Sequence, residues 1–208
     1  MVSLPLLSPR AARTRGALIA AGFELLAEKP IDAIPIDEVV ARAGVAKGSF
    51  FNHFADKAAF AAAIADEVRL ELEERITTAN AGEADPLKRI AGGMRVGAGF
   101  AMAQPKRTIV LLRSSASSTL TSHPLNRGLV DDIEAAFRAG LIRDAAREAG
   151  VLYWLGLCQV LLANLVEELP GPAAARERLA AMLMLGLTGL GASPERAQAI
   201  VDAGSAEP

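Results

Sequence analysis

Apolar residues recur at helical spacing along most of this chain, and proline and glycine separate one such stretch from the next. Near the N-terminus, Ile19, Phe23 and Leu26 fall on one face of a helix. Ser8-Pro9 is expected to begin that helix, because serine caps helix starts and proline is tolerated in the first turn, and Pro30 is expected to end it. Alanine and leucine runs with few alternating β-branched residues favour helices elsewhere too. The pattern therefore predicts an all-α protein.

The most informative segment is residues 36–57, where two short helices are separated by a glycine turn. The apolar stripe of the first of these helices stops at Gly44, and glycine suits a position where the chain must adopt positive φ and reverse. A second helix is predicted from Ala46 to Phe54, with polar residues on one side and with Phe50 and Phe54 one turn apart. This arrangement is typical of a helix-turn-helix, whose second helix enters the major groove of DNA.

These residues resemble the tetracycline-repressor (TetR) family of bacterial transcription regulators over roughly residues 13–60. The residues that carry the resemblance are Arg15, Ala21–Leu26, Val39, Ala43-Gly44-Val45, Lys47–Phe54 and Lys57. The resemblance implies a three-helix helix-turn-helix DNA-binding domain at residues 1–56. It also implies a larger helical domain at residues 57–208, which would bind a ligand and form the dimer.

The resemblance implies a set of DNA contacts around the second helix of the motif. We expect Lys47 and Ser49 to read base edges and Lys57 to contact a phosphate from the start of a helix, while Phe51 could touch a thymine methyl group. The full set of expected DNA-contacting residues is Arg15, Lys47, Gly48, Ser49, Phe51, Asn52, His53 and Lys57. The alternative interpretation is that these are ordinary polar residues facing solvent.

Some positions depart from the family pattern and remove hydroxyl groups. Ile34-Pro35 stands where the family usually places threonine and then serine or threonine, which cap a helix and touch phosphate. Phe51 replaces a usual tyrosine, and Ala46 replaces a common serine cap. These departures leave the predicted fold intact and weaken the prediction of tight DNA binding.

Charge permits DNA binding without requiring it. The whole chain has a formal net charge of −2, and residues 1–57 carry seven basic and six acidic residues. A DNA-binding domain usually has a clearer basic excess, because neutralising phosphates supplies most of the non-specific affinity. The basic residues could still cluster on the side that faces the duplex, and a dimer would double that patch.

The C-terminal domain is predicted to dimerise through two long helices, at residues 145–169 and 173–190. Both are apolar nearly all round, so each must be buried on several sides. In a chain of this size, a four-helix interface between two protomers is the economical arrangement. The resemblance implies the same dimer.

A ligand pocket in the C-terminal domain is a separate prediction that follows mainly from the resemblance. The candidate lining residues are apolar or aromatic, namely Val68, Leu72, Met94, Phe100, Leu112, Phe137, Tyr153, Trp154 and Leu157. The predicted polar groups are few, namely Arg95, Arg113, Tyr153 and Asn164. Such a pocket would suit a small hydrophobic or aromatic compound. The alternative interpretation is that these residues simply fill the core.

Other function classes find little support. His53 and His123 are the only histidines and lack carboxylate or cysteine neighbours at ligand spacing, so we expect no metal site, no cofactor and no enzyme activity. The single Cys158 excludes an internal disulfide. The apolar run Val151–Val166 is shorter than the roughly 20 residues of a membrane span, and no signal peptide is apparent, so a cytoplasmic protein without a membrane partner is expected.

The sequence therefore predicts a homodimeric transcription regulator, most simply a repressor, that binds a near-palindromic operator in double-stranded DNA and is released by a small effector. The alternative is a helical protein that binds a small molecule or a partner and has weakened DNA binding. An activator is a further possibility that the sequence does not discriminate.

Overall fold

The computed structural model describes residues 8–113 and 123–205, and within them the chain forms ten α-helices, two short 3-10 turns and no strand. The predicted all-α class is confirmed. The helices are α1 (Pro9–Glu28), α2 (Ile36–Ala43), α3 (Lys47–Phe51), α4 (Lys57–Ala79), α5 (Pro86–Ala103), α6 (Pro105–Arg113), α7 (Arg127–Arg138), α8 (Asp144–Glu168), α9 (Pro172–Leu190) and α10 (Pro194–Ser205). The 3-10 turns are Ile31–Ala33 and Pro124–Asn126.

The chain divides into two compact units, and the division falls inside α4. The first unit runs up to Val68 and includes the segment that begins at Ile109, and the second contains Arg69–Thr108 and the C-terminal helices. The sequence predicts the boundary between the two domains earlier in the chain, after residue 56. The first turns of α4 belong with the first unit because Phe60 and Ile64 are buried against α1.

Local signals determine the helix ends of the first unit as the sequence predicts. The Ser8 Oγ accepts a hydrogen bond from the Ala11 N–H at 3.3 Å, and Pro9 is the first helical residue of α1. Gly44 ends α2 with φ +66°, and the Val45 N–H then donates to the Val40 carbonyl at 3.0 Å. Only a residue without a Cβ adopts this left-handed conformation at little cost, so the glycine sets the reversal between α2 and α3.

The second helix of the motif is shorter than the sequence predicts. It begins at Lys47 rather than Ala46 and ends at Phe51 rather than Phe54. Asn52 is its C-cap, and the next two N–H groups still donate to the Phe50 carbonyl, each at 3.0 Å. The next helix, α4, begins with a cap from Asp56, whose Oδ1 accepts from the Ala59 N–H at 2.7 Å.

The second unit is built around α8 and α9, which lie close together because α9 carries small residues. A Cβ placed on Gly186 would lie 2.7 Å from the Trp154 ring, so this glycine leaves room for the indole. Trp154 is buried on α8, and α8 also contacts α5 and α7. The two helices match the predicted ranges 145–169 and 173–190 to within one residue at each end.

Helix α8 is the most apolar element of the described chain. It has 25 residues, and an 18-residue window within it has a mean hydropathy of 1.8, so length and composition alone would allow it to cross a membrane. Core helices of soluble proteins meet the same criteria. Only 39% of that window is buried within the single chain. Within the described residues, Leu152 and Val160 on this helix are exposed apolar side chains.

Two glycines on α1 allow a matched test of the packing between α1 and α4. A Cβ on Gly22 would lie 2.2 Å from the Phe60 ring, whereas a Cβ on Gly16 would have no atom within 4 Å. We expect Gly22→Ala to lower the free energy of unfolding by about 1–3 kcal/mol, because the buried ring must move. Gly16→Ala should raise it by up to about 1 kcal/mol through helix propensity. Urea unfolding followed by circular dichroism measures both, and equal effects would contradict the packing described here.

Candidate nucleic-acid interface

An aromatic cluster on the inner side of the first unit holds α3 in place. The rings of Phe50, Phe54 and Phe60 are buried, with centroids 5.2 Å apart for Phe50 and Phe60 and 4.9 Å apart for Phe54 and Phe60. These edge-on and tilted contacts are the geometry that aromatic pairs prefer. Because α3 has only five residues, its position depends on this packing rather than on its own hydrogen bonds.

The opposite side of α3 is open. Lys47, Gly48 and Asn52 are exposed, and Ser49 and His53 are partly exposed. Phe51 is 56% exposed although it is a large aromatic residue, and its ring contacts that of Phe50 edge-on at 5.4 Å. The structure therefore brings these predicted residues together on and beside one short helix. None of them is sealed against the body of the first unit.

Lys47 is paired with a carboxylate on α2. Its Nζ lies 2.8 Å from Asp37 Oδ1 and 3.1 Å from Oδ2, and both side chains are largely exposed. An exposed ion pair contributes roughly 0–1 kcal/mol, so it can be exchanged for another partner at little cost. Lys47 could still read bases as predicted if its ammonium leaves Asp37, or if it contacts Asp37 and a base at the same time.

Lys57 makes contacts that the sequence did not predict. Its Nζ donates to the carbonyl oxygens of Ile31, Asp32 and Ile34, at 3.1, 3.2 and 3.1 Å. These use all three N–H groups of the ammonium. The ammonium ties the start of α4 to the segment before α2. The phosphate contact expected of Lys57 stays a prediction, and it would require one of these bonds to be replaced.

Arg15 also has partners within the first unit. Its guanidinium carbon lies 5.5 Å from the centroid of the Phe54 ring, and its Nη1 lies 3.4 Å from Glu67 Oε1 on α4. About a third of the side chain stays accessible (36%). Arg15 therefore packs beside the aromatic cluster, and its DNA contact stays a prediction.

The two helix starts in the motif have no side-chain cap. Pro35 precedes α2 and Ala46 precedes α3, and neither side chain accepts a hydrogen bond from the following turn. The loss of these caps was predicted from the absence of hydroxyl residues. Asp37 and Glu38 in the first turn of α2 compensate in part, because negative charge there favours the helix dipole.

The residues predicted to line a ligand pocket are divided between the two units, and their role stays a prediction. Val68 and Leu112 belong to the first unit, whereas the others lie in the second. Within the second unit Leu72, Met94, Phe100 and Trp154 are buried, Phe137 and Leu157 are half-buried, and Tyr153 is 37% exposed. A groove of about 470 Å³ along α4 is lined by other residues, namely Glu71, Glu74, Arg75, Thr78 and Ala79.

The polar groups predicted for the pocket are bonded elsewhere in the chain. Arg95 Nη2 donates to the Ile200 carbonyl, Arg113 Nη1 to the Leu26 carbonyl at 2.7 Å, and the Tyr153 hydroxyl to the Leu185 carbonyl at 3.2 Å. Asn164 bonds to Glu168 and Arg178. Each of these groups therefore stabilises local packing in its own unit.

A polar cluster in the second unit escaped the sequence analysis. Arg69 and Glu73 lie one turn apart on α4 and form a salt bridge, and Arg69 Nη2 also donates to Asn126 Oδ1 at 2.8 Å. The spacing of Arg69 and Glu73 is a recognisable signal for a helical ion pair. No local pattern indicates that Asn126, far along the chain, would join them.

Comparison with known proteins finds a match within the first unit. Residues 18–64 match the family model of bacterial regulatory proteins of the tetR family. The chain is also 42% identical over 65 residues to the transcriptional regulator AcuR of Cereibacter sphaeroides, an alignment that spans 27% of this chain and 30% of AcuR. The chain thus aligns with less than a third of the length of that relative.

Solved structures extend the likeness to the whole fold. A tetR family transcription regulator from Shewanella sp. PV-4 has a TM-score of 0.74 at 17% identity, covering 85% of this chain and 97% of that one. RolR in complex with resorcinol has a TM-score of 0.62 at 19% identity and covers 96% of each chain. FadR of Bacillus subtilis in complex with stearoyl-CoA has a TM-score of 0.66 at 16% identity, covering 84% of this chain and 98% of that one. At these identities the likeness shows the fold alone.

The contacts of Lys57 predict a structural effect that does not depend on DNA. Lys57→Met keeps the length of the side chain and removes its bonds to three carbonyl groups. We expect the free energy of unfolding to fall by about 1–3 kcal/mol, because partly buried carbonyls lose charged donors. Urea unfolding of the full chain provides the measurement.

Lys88→Met is the control for this prediction, because the Lys88 ammonium is exposed and lies 3.8 Å from Glu83. It should change the free energy of unfolding by no more than about 0.5 kcal/mol. Equal losses in the two variants would show that the carbonyl contacts of Lys57 contribute nothing.

Proposed function

We propose that this chain, a member of the tetR family of bacterial regulatory proteins through its residues 18–64, acts as a dimeric, ligand-responsive regulator of transcription in the bacterial cytoplasm. It binds a near-palindromic operator in double-stranded DNA, most simply as a repressor. A small hydrophobic or aromatic effector bound in the second unit changes the affinity for the operator.

The exposed polar side of α3 is the observation that carries this proposal. Phe50 anchors the helix from inside, and Lys47, Ser49 and Asn52 remain available on the outside. A helix presented in this way on a helix-turn-helix can enter a major groove, where lysine, serine and asparagine side chains hydrogen-bond to base edges. An exposed Phe51 adds an apolar surface suited to a thymine methyl group.

The role of an effector is supported by the fold of the second unit. RolR and FadR share this fold and have been solved with resorcinol and with stearoyl-CoA, respectively. The apolar interior of the second unit, with Trp154 and Phe100 buried, suits a compound of small size and low polarity. Linkage then requires that effector and operator influence each other's affinity by the same factor.

A dimer is supported by apolar surface left open on α8 and α9. Val160 on α8 is 65% exposed and Leu185 on α9 is 63% exposed, and Leu152 adds a further exposed side chain on α8. Large exposed apolar patches on single chains mark contact surfaces. Two copies that place these helices together would form a four-helix interface.

The competing function is a helical protein that binds a small molecule or a partner and has lost most of its DNA affinity. The uncapped starts of α2 and α3 and the absent hydroxyls at Ile34, Pro35 and Phe51 favour it. The pairing of Lys47 with Asp37 also favours this competing function, because the Asp37 carboxylate would repel the phosphates of DNA. Salt dependence separates the two functions, because an operator binder loses affinity steeply as salt is added.

DNA binding is tested with purified protein and genomic fragments, by selecting bound fragments and measuring their affinity in gel shifts at several salt concentrations. We expect a preference over competitor DNA and a linear fall of log affinity with log salt. Lys47→Ala should lower affinity for the selected site by about 1–3 kcal/mol, because a base contact is lost. Lys88→Ala, the control, should bind like the parent. A parent protein without sequence preference would refute the proposed function.

The dimer is tested by introducing charge into the apolar surface. Val160→Asp should convert the dimer to monomers of 21.7 kDa, because an unpaired carboxylate would be buried at the interface. Leu70→Asp is the matched control, since Leu70 is a half-exposed apolar residue on α4, outside α8 and α9. Light scattering coupled to size-exclusion chromatography gives the mass. A dimer that survives Val160→Asp, or a monomeric parent, would exclude this interface.

A further inference from the structure

An exposed charge pair joins the starts of the two helices of the helix-turn-helix. Lys47 is the first residue of α3, and Asp37 is the second residue of α2. The Lys47 Nζ lies 2.8 Å from Asp37 Oδ1 and 3.1 Å from Oδ2. The Lys47 side chain is 61% exposed and that of Asp37 is 68% exposed. A cationic donor and an anionic acceptor therefore lie side by side at the surface of the first unit.

The contact with α3 distinguishes Asp37 from two neighbouring carboxylates. Glu38, the next residue on α2, lies 2.7 Å from the Lys29 ammonium at the end of α1. Glu28 on α1 lies 4.0 Å from the guanidinium of Arg42 on α2. Both of these ion pairs join α1 to α2. The carboxylate of Asp37 contacts instead the helix that the motif presents to DNA.

The position of the pair brings both head groups to the base edges. In a helix-turn-helix, the first residues of the second helix contact bases in the major groove. Lys47 stands at that position, and the space beside it is open, since a Cβ added to the exposed Gly48 would have no atom within 4 Å. The Asp37 carboxylate lies within hydrogen-bond distance of the Lys47 ammonium. A base edge that meets the ammonium therefore also comes within reach of the carboxylate.

A G·C base pair complements this arrangement of donor and acceptor. In the major groove, guanine presents the acceptors O6 and N7, and cytosine presents the N4 amino donor. O6 and N4 are hydrogen-bonded to each other and are thus about 2.9 Å apart. The ammonium and the carboxylate of the protein have nearly the same separation, 2.8 Å. The ammonium has further N–H groups for guanine N7, so one G·C pair satisfies both head groups.

An A·T base pair fits the two head groups less well. Its only major-groove donor, adenine N6, lies between two acceptors, adenine N7 and thymine O4. A carboxylate that accepts from N6 lies beside the lone pairs of one of these acceptors, which its negative charge opposes. The ammonium also loses the two adjacent acceptors that guanine offers. Contacts of this kind discriminate against the wrong base pair by about tenfold to a hundredfold.

We propose that Asp37 is a specificity-determining residue that acts with Lys47 to select one G·C base pair in each half of the operator. This inference rests on the proposed DNA-binding function and names a base pair that the same surface prefers. The carboxylate lowers the affinity for every sequence, because it repels phosphates. A G·C pair at this position restores part of that affinity by donating from cytosine N4. Asp37 therefore reduces affinity and increases selectivity.

The test begins with duplexes selected from a random-sequence library by the purified full-length protein. Each G·C pair of the tightest-binding duplex is changed in turn to A·T, and affinities are measured by fluorescence anisotropy at one salt concentration. For the parent, one change in each half of the site should weaken binding by about tenfold to a hundredfold. Lys47→Ala and Asp37→Ala should each reduce this discrimination at least fivefold, and both at the same position.

The discrimination ratio separates a base contact from simple repulsion. Asp37→Ala should bind a non-specific duplex about two- to fivefold more tightly, because a negative charge near the phosphates is removed. Repulsion alone would tighten every duplex by the same factor and leave the ratio unchanged. The ratio of two affinities measured on one preparation does not depend on the fraction of folded protein, so a loss of stability does not imitate the expected result.

Glu28→Ala is the matched control, because it removes an exposed carboxylate of the first unit that pairs with Arg42 rather than with α3. It should keep the parent's discrimination at every position. An Asp37→Ala variant that also keeps this discrimination would overturn the inference. So would a G·C position that responds to Lys47→Ala and is unaffected by Asp37→Ala.

Failure of this inference is distinguishable from failure of the proposed function. A parent protein that selects no sequence from the library refutes DNA-directed regulation, and the role of Asp37 falls with it. A parent that selects a sequence, but has no position at which Asp37→Ala reduces the preference for G·C, keeps the regulatory function and loses only this inference.

Discussion

The burial of three phenylalanine rings is the constraint on which the exposed polar surface of α3 depends. Helix α3 is five residues long and lacks a side-chain cap at its start, so it could not hold its place through its own hydrogen bonds. Helix α3 packs against the start of α4 through the rings of Phe50, Phe54 and Phe60. Gly22 on α1 leaves the space that the Phe60 ring occupies. The polar side chains of α3 face outward as a consequence.

Lys57 complements this apolar packing with a polar contact. Its ammonium binds three carbonyl groups in the segment before α2, a segment that in this chain lacks the usual hydroxyl caps. The same residue was expected to contact phosphate. Both roles are electrostatic, and the structure suggests how they compete: each N–H directed at a carbonyl is unavailable to DNA. Together with the Lys47–Asp37 pair, this lowers the number of free cationic donors near α3.

The second unit combines an exposed apolar surface with a partly buried charge pair. The exposed apolar side chains of α8 and α9 form an outer surface whose burial needs another chain. The Arg69–Glu73 pair is an inner polar surface whose burial is costly unless hydrogen bonds compensate for it. In the proposed dimer a second protomer would cover the outer surface, whereas the charge pair already receives a compensating hydrogen bond from Asn126 within the protomer.

Local sequence determined the all-helical class, the helix ends at Ser8 and Gly44, and the helix-turn-helix itself. These features depend on spacing, caps and backbone preferences over a few residues, so they can be read without a structure. The length of α3 was the exception, since the helix ends at Phe51 rather than at Phe54. Only the tertiary structure decided which distant groups meet. Lys57 bonds to a carbonyl 26 residues away and Arg69 to an amide 57 residues away, and such pairs form only after packing has brought separate helices within hydrogen-bond distance.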